Sequence, residues 1–200
     1  MSAPAPTAAT RPSESDIPRH RFRRTAARFP TGVTVVTALA EDGEPHGTTV
    51  NSFTTVSMDP YLVMVGLGRG SRLHDRILAR GAFAVSVLSD TQEADARWFA
   101  DPARPAGAAS FTGLPWRAAD LSGAPVLMEA VAWFDCTVHA THAAGDHTLF
   151  VGRAEAFGVL SDRPALTFAD SRFASHETAD SRFAPRDAAP SCPSVRKDLP

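Results

Sequence analysis

The sequence predicts a mainly β domain of the α+β class, built around a small barrel with a few short helices. Six or seven segments of strand length are rich in Val, Thr and Phe or alternate polar and apolar residues, and most are joined by short turns. Only two or three segments have helical spacing, and they do not alternate with strands as a Rossmann sheet requires. With 200 residues, 44% of them hydrophobic, the chain can bury one substantial core.

Helices are predicted over residues 18–29, 71–80 and 89–100. A proline lies in the first turn of the first helix, and another ends it. Gly81 is a typical C-terminal cap of the second helix, and Ser89 with Gln92 forms a capping box before the third. We expect the first helix to pack on the core through Phe22, Ala26 and Phe29, and the second through Leu73, Ile77 and Leu78.

Strands are predicted over residues 33–39, 46–56, 61–67, 83–88, 129–142, 147–160 and 165–168. Asp42-Gly43 is a strong hairpin signal between the first two. Residues 101–125 form a connection rich in Pro and Gly, and its length suggests a function.

The domain is expected to span residues 19–173, with a disordered segment over 1–18 and a poorly ordered tail over 174–200. Six residues, Ala-Asp-Ser-Arg-Phe-Ala, occur at 169–174 and again at 179–184. Two copies do not build a solenoid, and we interpret them as a local duplication.

Net charge, the length of apolar runs and cysteine spacing argue against several classes of protein. The net charge is −2, no apolar run reaches the length of a membrane span, and no signal peptide precedes the domain. The two cysteines are far apart, which argues against a disulfide framework. These features predict a cytoplasmic protein that binds neither membrane nor nucleic acid.

Five arginines cluster at the start of the chain: Arg19, Arg21, Arg23, Arg24 and Arg28. They are either a nucleic-acid arm or the solvated face of a helix, and the second interpretation is favoured. There is no GxSxG motif, and Cys136 in mid-strand is expected to be a buried small hydrophobe. His139, His142 and His147 make a weak metal site, so no metal is expected.

Three patterns offer functional sites. Residues 48–54 hold a dense row of neutral hydrogen-bonding side chains, which suits an uncharged heterocycle such as a flavin ring, or an ordinary solvent-facing strand. Residues 67–74 lead from a strand through a Gly-rich turn to Ser71, which is either part of a phosphate site or only a helix N-cap. His147 follows a turn at Gly145 and Asp146 and is either a contact for a bound ring or an exposed hairpin residue.

These motifs in this order resemble the flavin reductase-like family of the FMN-binding split-barrel fold. The resemblance covers residues 21–173 and includes Thr31–Thr37, Asp42–Phe53, Ser71–His74, Phe83–Leu88, Gly145–Thr148 and Val151-Gly152. It implies a homodimer that uses NADH or NADPH to reduce FMN or FAD. The reduced flavin then passes to a partner oxygenase.

The resemblance also implies roles for individual residues. His147 would contact the nicotinamide, with Gly145 and Asp146 forming its turn, and Ser71, Arg72 and His74 would hold the flavin phosphate. The remaining residues would line the flavin: Thr31 and Thr34 at one wall, Thr48, Thr49, Val50, Asn51 and Ser52 at the edge of the ring, and Ser57 at the ribityl or phosphate end.

Two departures from the family pattern qualify this assignment. Gly70 stands where the family often has a polar residue, and Ser171 replaces a glycine near the end of the domain. Two other hypotheses for the function are a non-catalytic flavin carrier or sensor on the same barrel, and a flavin enzyme that retains its flavin and acts on another substrate. The sequence does not distinguish FMN from FAD or NADH from NADPH, and it does not identify the oxygenase.

Overall fold

The computed structural model describes residues 18–175. A seven-stranded antiparallel sheet dominates the fold, with the order β3-β2-β6-β9-β10-β5-β4. Its strands are β2 (Thr34–Leu39), β3 (Pro45–Val50), β4 (Thr54–Met58), β5 (Tyr61–Gly68), β6 (Ala82–Val87), β9 (Ala132–Ala144) and β10 (His147–Val159). The helices are α1 (Arg19–Ala26), α2 (Arg72–Arg80) and α3 (Glu93–Ala100).

This sheet must curl on itself. The strands β3 and β4 lie at its two edges, although only residues 51–53 separate them in the chain. The four residue steps from Val50 to Thr54 span at most about 14 Å when fully extended, whereas the edges of a flat seven-stranded sheet would lie roughly 29 Å apart. The short connection therefore requires a barrel-like sheet, which confirms the predicted fold class.

The barrel is filled by apolar side chains from opposite strands. Val36, Val65, Phe83 and Phe150 are fully buried within one cluster, together with Ile77 from α2. A second cluster lies under α3 and is formed by residues including Val35, Leu88, Phe99 and Phe111. These two clusters fix α2 and α3 against the barrel wall.

The smaller sheets complete the domain. The strand β11 (Leu166–Ala169) pairs with both β1 (Thr31–Gly32) and β12 (Arg172–Ser175), and β7 (Trp116–Ala118) pairs with β8 (Pro125–Leu127). The long connection over 101–125 thus contains β7 as well as a 3-10 turn at Gly107–Phe111.

Local sequence signals predicted several features correctly. Ser71 caps α2 and accepts a hydrogen bond from the backbone N–H of His74, and Gly81 ends the helix in the left-handed region at φ 64°. The capping box of Ser89 and Gln92 is present. These signals succeed because each involves residues only a few positions apart.

Two predictions about helix packing and one about the bounds of a strand are wrong. No residue of α1 is buried, and Phe22 and Phe29 are 71% and 74% exposed. Leu78 is 52% exposed, and the buried polar residue of α2 is His74. The extended segment predicted over 46–56 is two strands, because the chain leaves one sheet edge at Val50 and joins the other edge at Thr54.

The end of the domain lies in the first copy of the repeat. Asp170 and Ser171 form the turn between β11 and β12 with positive φ values of 49° and 62°. This left-handed geometry explains why a glycine would suit the position of Ser171. The strand β12 reaches Ser175, two residues beyond the expected boundary at 173. Residues 1–17, the second repeat copy and the rest of the predicted tail lie outside the described residues.

Candidate functional site

The Gly-rich turn after β5 leads directly into α2. Gly70 adopts a positive φ of 77°, and the Ser71 backbone N–H donates to the Gly68 carbonyl at 3.2 Å. The Ser71 hydroxyl caps the helix by accepting from the His74 N–H at 3.3 Å. Ser71 is therefore an N-cap. It also lines the cavity beside the helix, and its role in a phosphate site stays a prediction.

That cavity has a volume of about 230 Å³ and is positively charged. It is lined by His46, Thr48, Ser71, Arg72, Phe99, Ala100, Pro102 and Arg104. Burial, together with the charges of Arg104, Arg76 and Arg72, lowers the pKa of His46 to about 4. Its ring is consequently neutral at pH 7, while two guanidinium groups remain charged. This combination fits the phosphate group of a nucleotide.

The turn between β9 and β10 lies beside the Gly-rich turn. His147 is paired with Gly68 across β10 and β5, and the Arg69 N–H donates to the Asp146 carbonyl at 3.0 Å. The tight turn uses Gly145 at φ 61°. Two of the three sequence patterns are thus brought together at one end of the barrel.

His147 is half exposed, and a hydrogen bond to Asp146 orients its ring. Its Nδ1 lies 2.8 Å from Asp146 Oδ1, and this hydrogen bond, together with the charge of His147, lowers the pKa of Asp146. Asp146 can only accept when ionised, so Nδ1 is the donor. The contact leaves Nε2 directed away from Asp146, where a ligand amide can reach it.

His74 does not face the cavity as expected for a phosphate ligand. It is only 8% exposed, its Nε2 lies 3.0 Å from Thr148 Oγ1, and its Nδ1 lies 2.9 Å from Asp75 Oδ1. Its ring also packs edge-on against Phe150. Both nitrogens are engaged within the fold, so His74 joins α2 to β10 and positions the N-terminus of the helix.

The polar row on β3 does not form one binding surface, because side chains alternate along a strand. Thr48 lines the cavity, but the Thr49 hydroxyl donates to the Ala96 carbonyl at 2.6 Å and Val50 is buried in the core. Asn51 is exposed in the connection between the sheet edges. Ser52 bridges to Gly66, accepting from its N–H and donating to its carbonyl.

Three other predicted residues lie away from the cavity lining. The Thr31 hydroxyl contacts the Phe168 carbonyl, and that of buried Thr34 donates to the Val50 carbonyl at 2.8 Å. Ser57 pairs with Leu62, near the opposite end of β5 from Gly68. Six strand residues span about 20 Å, so Ser57 and Ser71 are not brought together within this subunit.

Among the polar residues that line the cavity, sequence reasoning missed two, His46 and Arg104. Arg104 belongs to the long connection that was singled out for its length, but nothing in the local sequence indicates that it folds back onto β3. Its guanidinium donates to the Gly47 carbonyl and lies 5.6 Å from the centre of the Phe99 ring. The contact with Gly47 joins residues 57 positions apart, so no local pattern encodes it.

Other classes of site receive no support in the part of the chain that is described. Cys136 is fully buried, and burial raises the pKa of its thiol to about 12, as expected for a small hydrophobe rather than a nucleophile. Within residues 18–175, no group of three or more His, Cys, Asp or Glu is arranged to hold a metal. None of the described helices is long and apolar enough to cross a membrane.

Comparison with known proteins identifies the family. The model of the flavin reductase like domain matches residues 26–177. An NADH-dependent FAD reductase of Streptomyces globisporus is 42% identical over 164 residues, which cover 81% of this chain and 89% of the relative. NADH-dependent flavin reductase StyB of Pseudomonas fluorescens is 40% identical, over 77% of this chain and 88% of its own.

Solved structures agree with this result. The NADH:FAD oxidoreductase SgcE6 of Streptomyces globisporus C-1027 matches with a TM-score of 0.74 and 39% identity, covering 90% of this chain and all of that one. A second structure of SgcE6 is a complex with NAD and FAD fragments. BorF, the flavin reductase component of a bacterial two-component tryptophan halogenase, matches with a TM-score of 0.74 at 36% identity, over 78% and 96% of the two chains. This chain belongs to the flavin reductase family.

Proposed function

We propose that this protein is an NADH:flavin oxidoreductase that supplies reduced flavin to a partner monooxygenase. The observation that carries the proposal is the close pairing of two turns. The turn of Ser71, with its positively charged cavity, lies beside the turn of His147 at one end of the barrel. One turn suits a phosphate and the other suits a polar ring, which are the two parts of a nucleotide that must be positioned.

The reaction places few demands on protein acid–base chemistry. When bound, the nicotinamide supplies a hydride from C4 and the flavin accepts it at N5. The chain binds and orients the two nucleotides. Arg72 and Ser71 hold phosphate oxygens, Thr48 and Asn51 offer neutral hydrogen bonds, and His147 contacts the nicotinamide.

NADH and FAD are the nucleotide pair that the relatives favour. The similar proteins include an NADH-dependent FAD reductase and an oxidoreductase crystallised with fragments of both nucleotides. We extend this pairing to the present chain, and we place the enzyme in the cytoplasm. FMN and NADPH are the alternatives to compare with them.

NADH oxidation followed at 340 nm, with and without added FAD or FMN, tests the proposal. Turnover that saturates with added flavin is expected, because the flavin is then a substrate. If flavin binds but neither NADH nor NADPH is oxidised, the protein is a carrier, and His147 loses its role. A tightly bound flavin that is retained through turnover would instead indicate an enzyme acting on another substrate.

Two variants test the assigned residues. His147→Ala is expected to raise the KM for NADH more than it weakens flavin binding, and an equal loss of both would contradict the role of His147. Ser71→Ala combined with Arg72→Ala is expected to weaken FMN and FAD but not riboflavin, which has no phosphate. An unchanged preference for FMN over riboflavin would remove these residues from the phosphate site.

We also propose that the enzyme is a homodimer. Met58, Tyr61, Phe157 and Val159 are at least half exposed on neighbouring strands, and the rings of Tyr61 and Phe157 are in contact. A contiguous apolar patch of this kind is typical of an interaction surface. Phe157→Glu should shift the mass measured by light scattering from dimer to monomer, whereas a monomeric parent protein would contradict the proposal.

A further inference from the structure

Arg104 reaches the cavity from the connection that follows α3. Its Nη1 donates to the Asp101 carbonyl at 2.8 Å, its Nη2 donates to the Gly47 carbonyl, and its guanidinium lies over the Phe99 ring. The side chain is thus held at both ends of the guanidinium by backbone oxygens. A flexible surface arginine would not need such anchors, so the structure holds this group in one place.

Arg104 forms no direct ion pair with a carboxylate in the described part of the chain, although the charge of Asp101 is near enough to raise its pKa. Within residues 18–175, no carboxylate lies within 4 Å of its guanidinium, and the same is true of Arg72, which lines the same cavity. The neighbouring Arg76, by contrast, pairs with Glu44 at 3.0 Å. The two cavity arginines therefore differ from the arginine beside them in facing a shared space without an anion from the protein.

This arrangement is costly unless an anion joins it. Burial and, to a smaller extent, the charge of Arg72 lower the pKa of Arg104, while the charge of Asp101 raises it. His46 lies 3.5 Å from the Arg104 Nη2 and is neutral at pH 7, so it adds a hydrogen-bonding ring and no third charge. Arg104 is half-buried and Arg72 is exposed, and an anionic ligand bound between them would stabilise both charges.

We propose that Arg104 is a specificity-determining residue that binds the phosphate of a nucleotide substrate together with Arg72, which lines the same cavity from a different element. The proposal rests on the proposed function and adds to it a residue outside the sequence motifs. A planar guanidinium matches phosphate oxygens in pairs, and two such groups on separate elements hold the phosphate together. The phosphate belongs either to the flavin or to the nicotinamide dinucleotide.

The test compares Arg104→Gln with Arg80→Gln as a matched control. Arg80 is an exposed arginine in the last turn of α2, far along the helix from the cavity lining. The KM values for FAD, FMN, riboflavin and NADH are measured for both variants, and inorganic pyrophosphate binding is measured by thermal shift without turnover. Melting in buffer alone reports whether each variant folds.

Arg104→Gln is expected to weaken pyrophosphate binding about tenfold or more, the loss typical of one charge-assisted hydrogen bond. A matching rise in KM for FAD and FMN, but not riboflavin, would place the flavin phosphate at Arg104. A rise for NADH alone would place the nicotinamide dinucleotide there. Arg80→Gln is expected to change none of these values.

The proposal is overturned if pyrophosphate binding and all KM values are unchanged in Arg104→Gln, or if riboflavin loses as much as FMN. Should Arg104→Gln melt at a much lower temperature, Arg104→Lys keeps the charge without the planar fork, and intermediate pyrophosphate binding is then expected. Equal binding by Lys and the parent protein would refute the paired guanidinium geometry. Failure of the proposed function is separate, because it shows as no NADH oxidation by the parent protein with any flavin.

Discussion

The role of His74 gives the sharpest test of the fold against the sequence motif. The family motif implies a phosphate ligand, but the structure engages both ring nitrogens internally, with Thr148 and Asp75. Replacing His74 with Ala removes the hydrogen bond to Thr148 and leaves the Thr148 hydroxyl, which is 9% exposed, without this partner. The expected primary effect is on stability.

The magnitude follows from these contacts. A buried hydroxyl left without a partner costs about 1–3 kcal/mol, and the lost packing of the ring against Phe150 adds to it. We expect His74→Ala to lower the free energy of unfolding by about 2–4 kcal/mol. For a domain of this size, each kcal/mol lowers the Tm by roughly 2–4 °C.

The assay is a double-mutant cycle with Thr148→Val, which removes the hydroxyl but keeps the shape of the side chain. The combined loss in the double variant is expected to fall short of the sum of the single losses by about 1 kcal/mol, because both remove the same hydrogen bond. The ratio of FMN to riboflavin affinity is measured alongside. Additive losses, or an abolished FMN preference with unchanged stability, would refute the positioning role and restore His74 as a phosphate ligand.

Three further predictions concern the barrel, its final turn and its pH dependence. Gly152→Ala places a Cβ 2.5 Å from Phe83 Cζ and should lower the free energy of unfolding, measured by chemical denaturation, by about 1–3 kcal/mol. Gly32→Ala, whose Cβ would have no atom within 4 Å, should be neutral. Equal effects of the two variants would contradict the packing. Ser171→Gly should stabilise the protein by up to about 1 kcal/mol, since its φ is positive, and an unchanged or lower Tm would argue against this turn geometry. Folding lowers the pKa of His46 from 6.5 to about 4, so between these pH values the unfolded chain binds a proton that the folded protein does not. The free energy of unfolding should therefore decline by at most about 3 kcal/mol as the pH falls from 6.5 to 4. His46→Gln should flatten that decline.

Local signals predicted the parts of the fold that depend on short stretches of chain. The caps of α2 and the hairpin turn at Gly145 follow from the preferences of single residues for particular backbone conformations. The packing of α1 could not be predicted in this way, since Phe22 and Phe29 have helical spacing whether or not a core lies beneath them. Periodicity identifies an apolar face, but only tertiary contacts decide what covers it.

The candidate site likewise contains residues predicted from local motifs and residues that only tertiary contacts reveal. Ser71, Arg72 and His147 were predicted because turn and helix-cap motifs carry them, and the sheet register then places the two turns side by side. Arg104 was missed because its contact with Gly47 joins residues that are 57 positions apart. His74 was assigned the wrong partner for a related reason, since Thr148 lies 74 positions away.

The pairing of β5 with β10 suits hydride transfer, because it places the two candidate nucleotide-binding turns side by side. The two strands stay in register over seven residue pairs, from His147 opposite Gly68 to Arg153 opposite Leu62. The turn proposed to hold phosphate and the turn that carries His147 are therefore neighbours on one ladder, about 5 Å apart. Hydride transfer needs a fixed distance between two rings more than it needs a proton donor. We infer that the paired strands supply that fixed distance, while Arg104, on the long connection over 101–125, selects the nucleotide whose phosphate it binds.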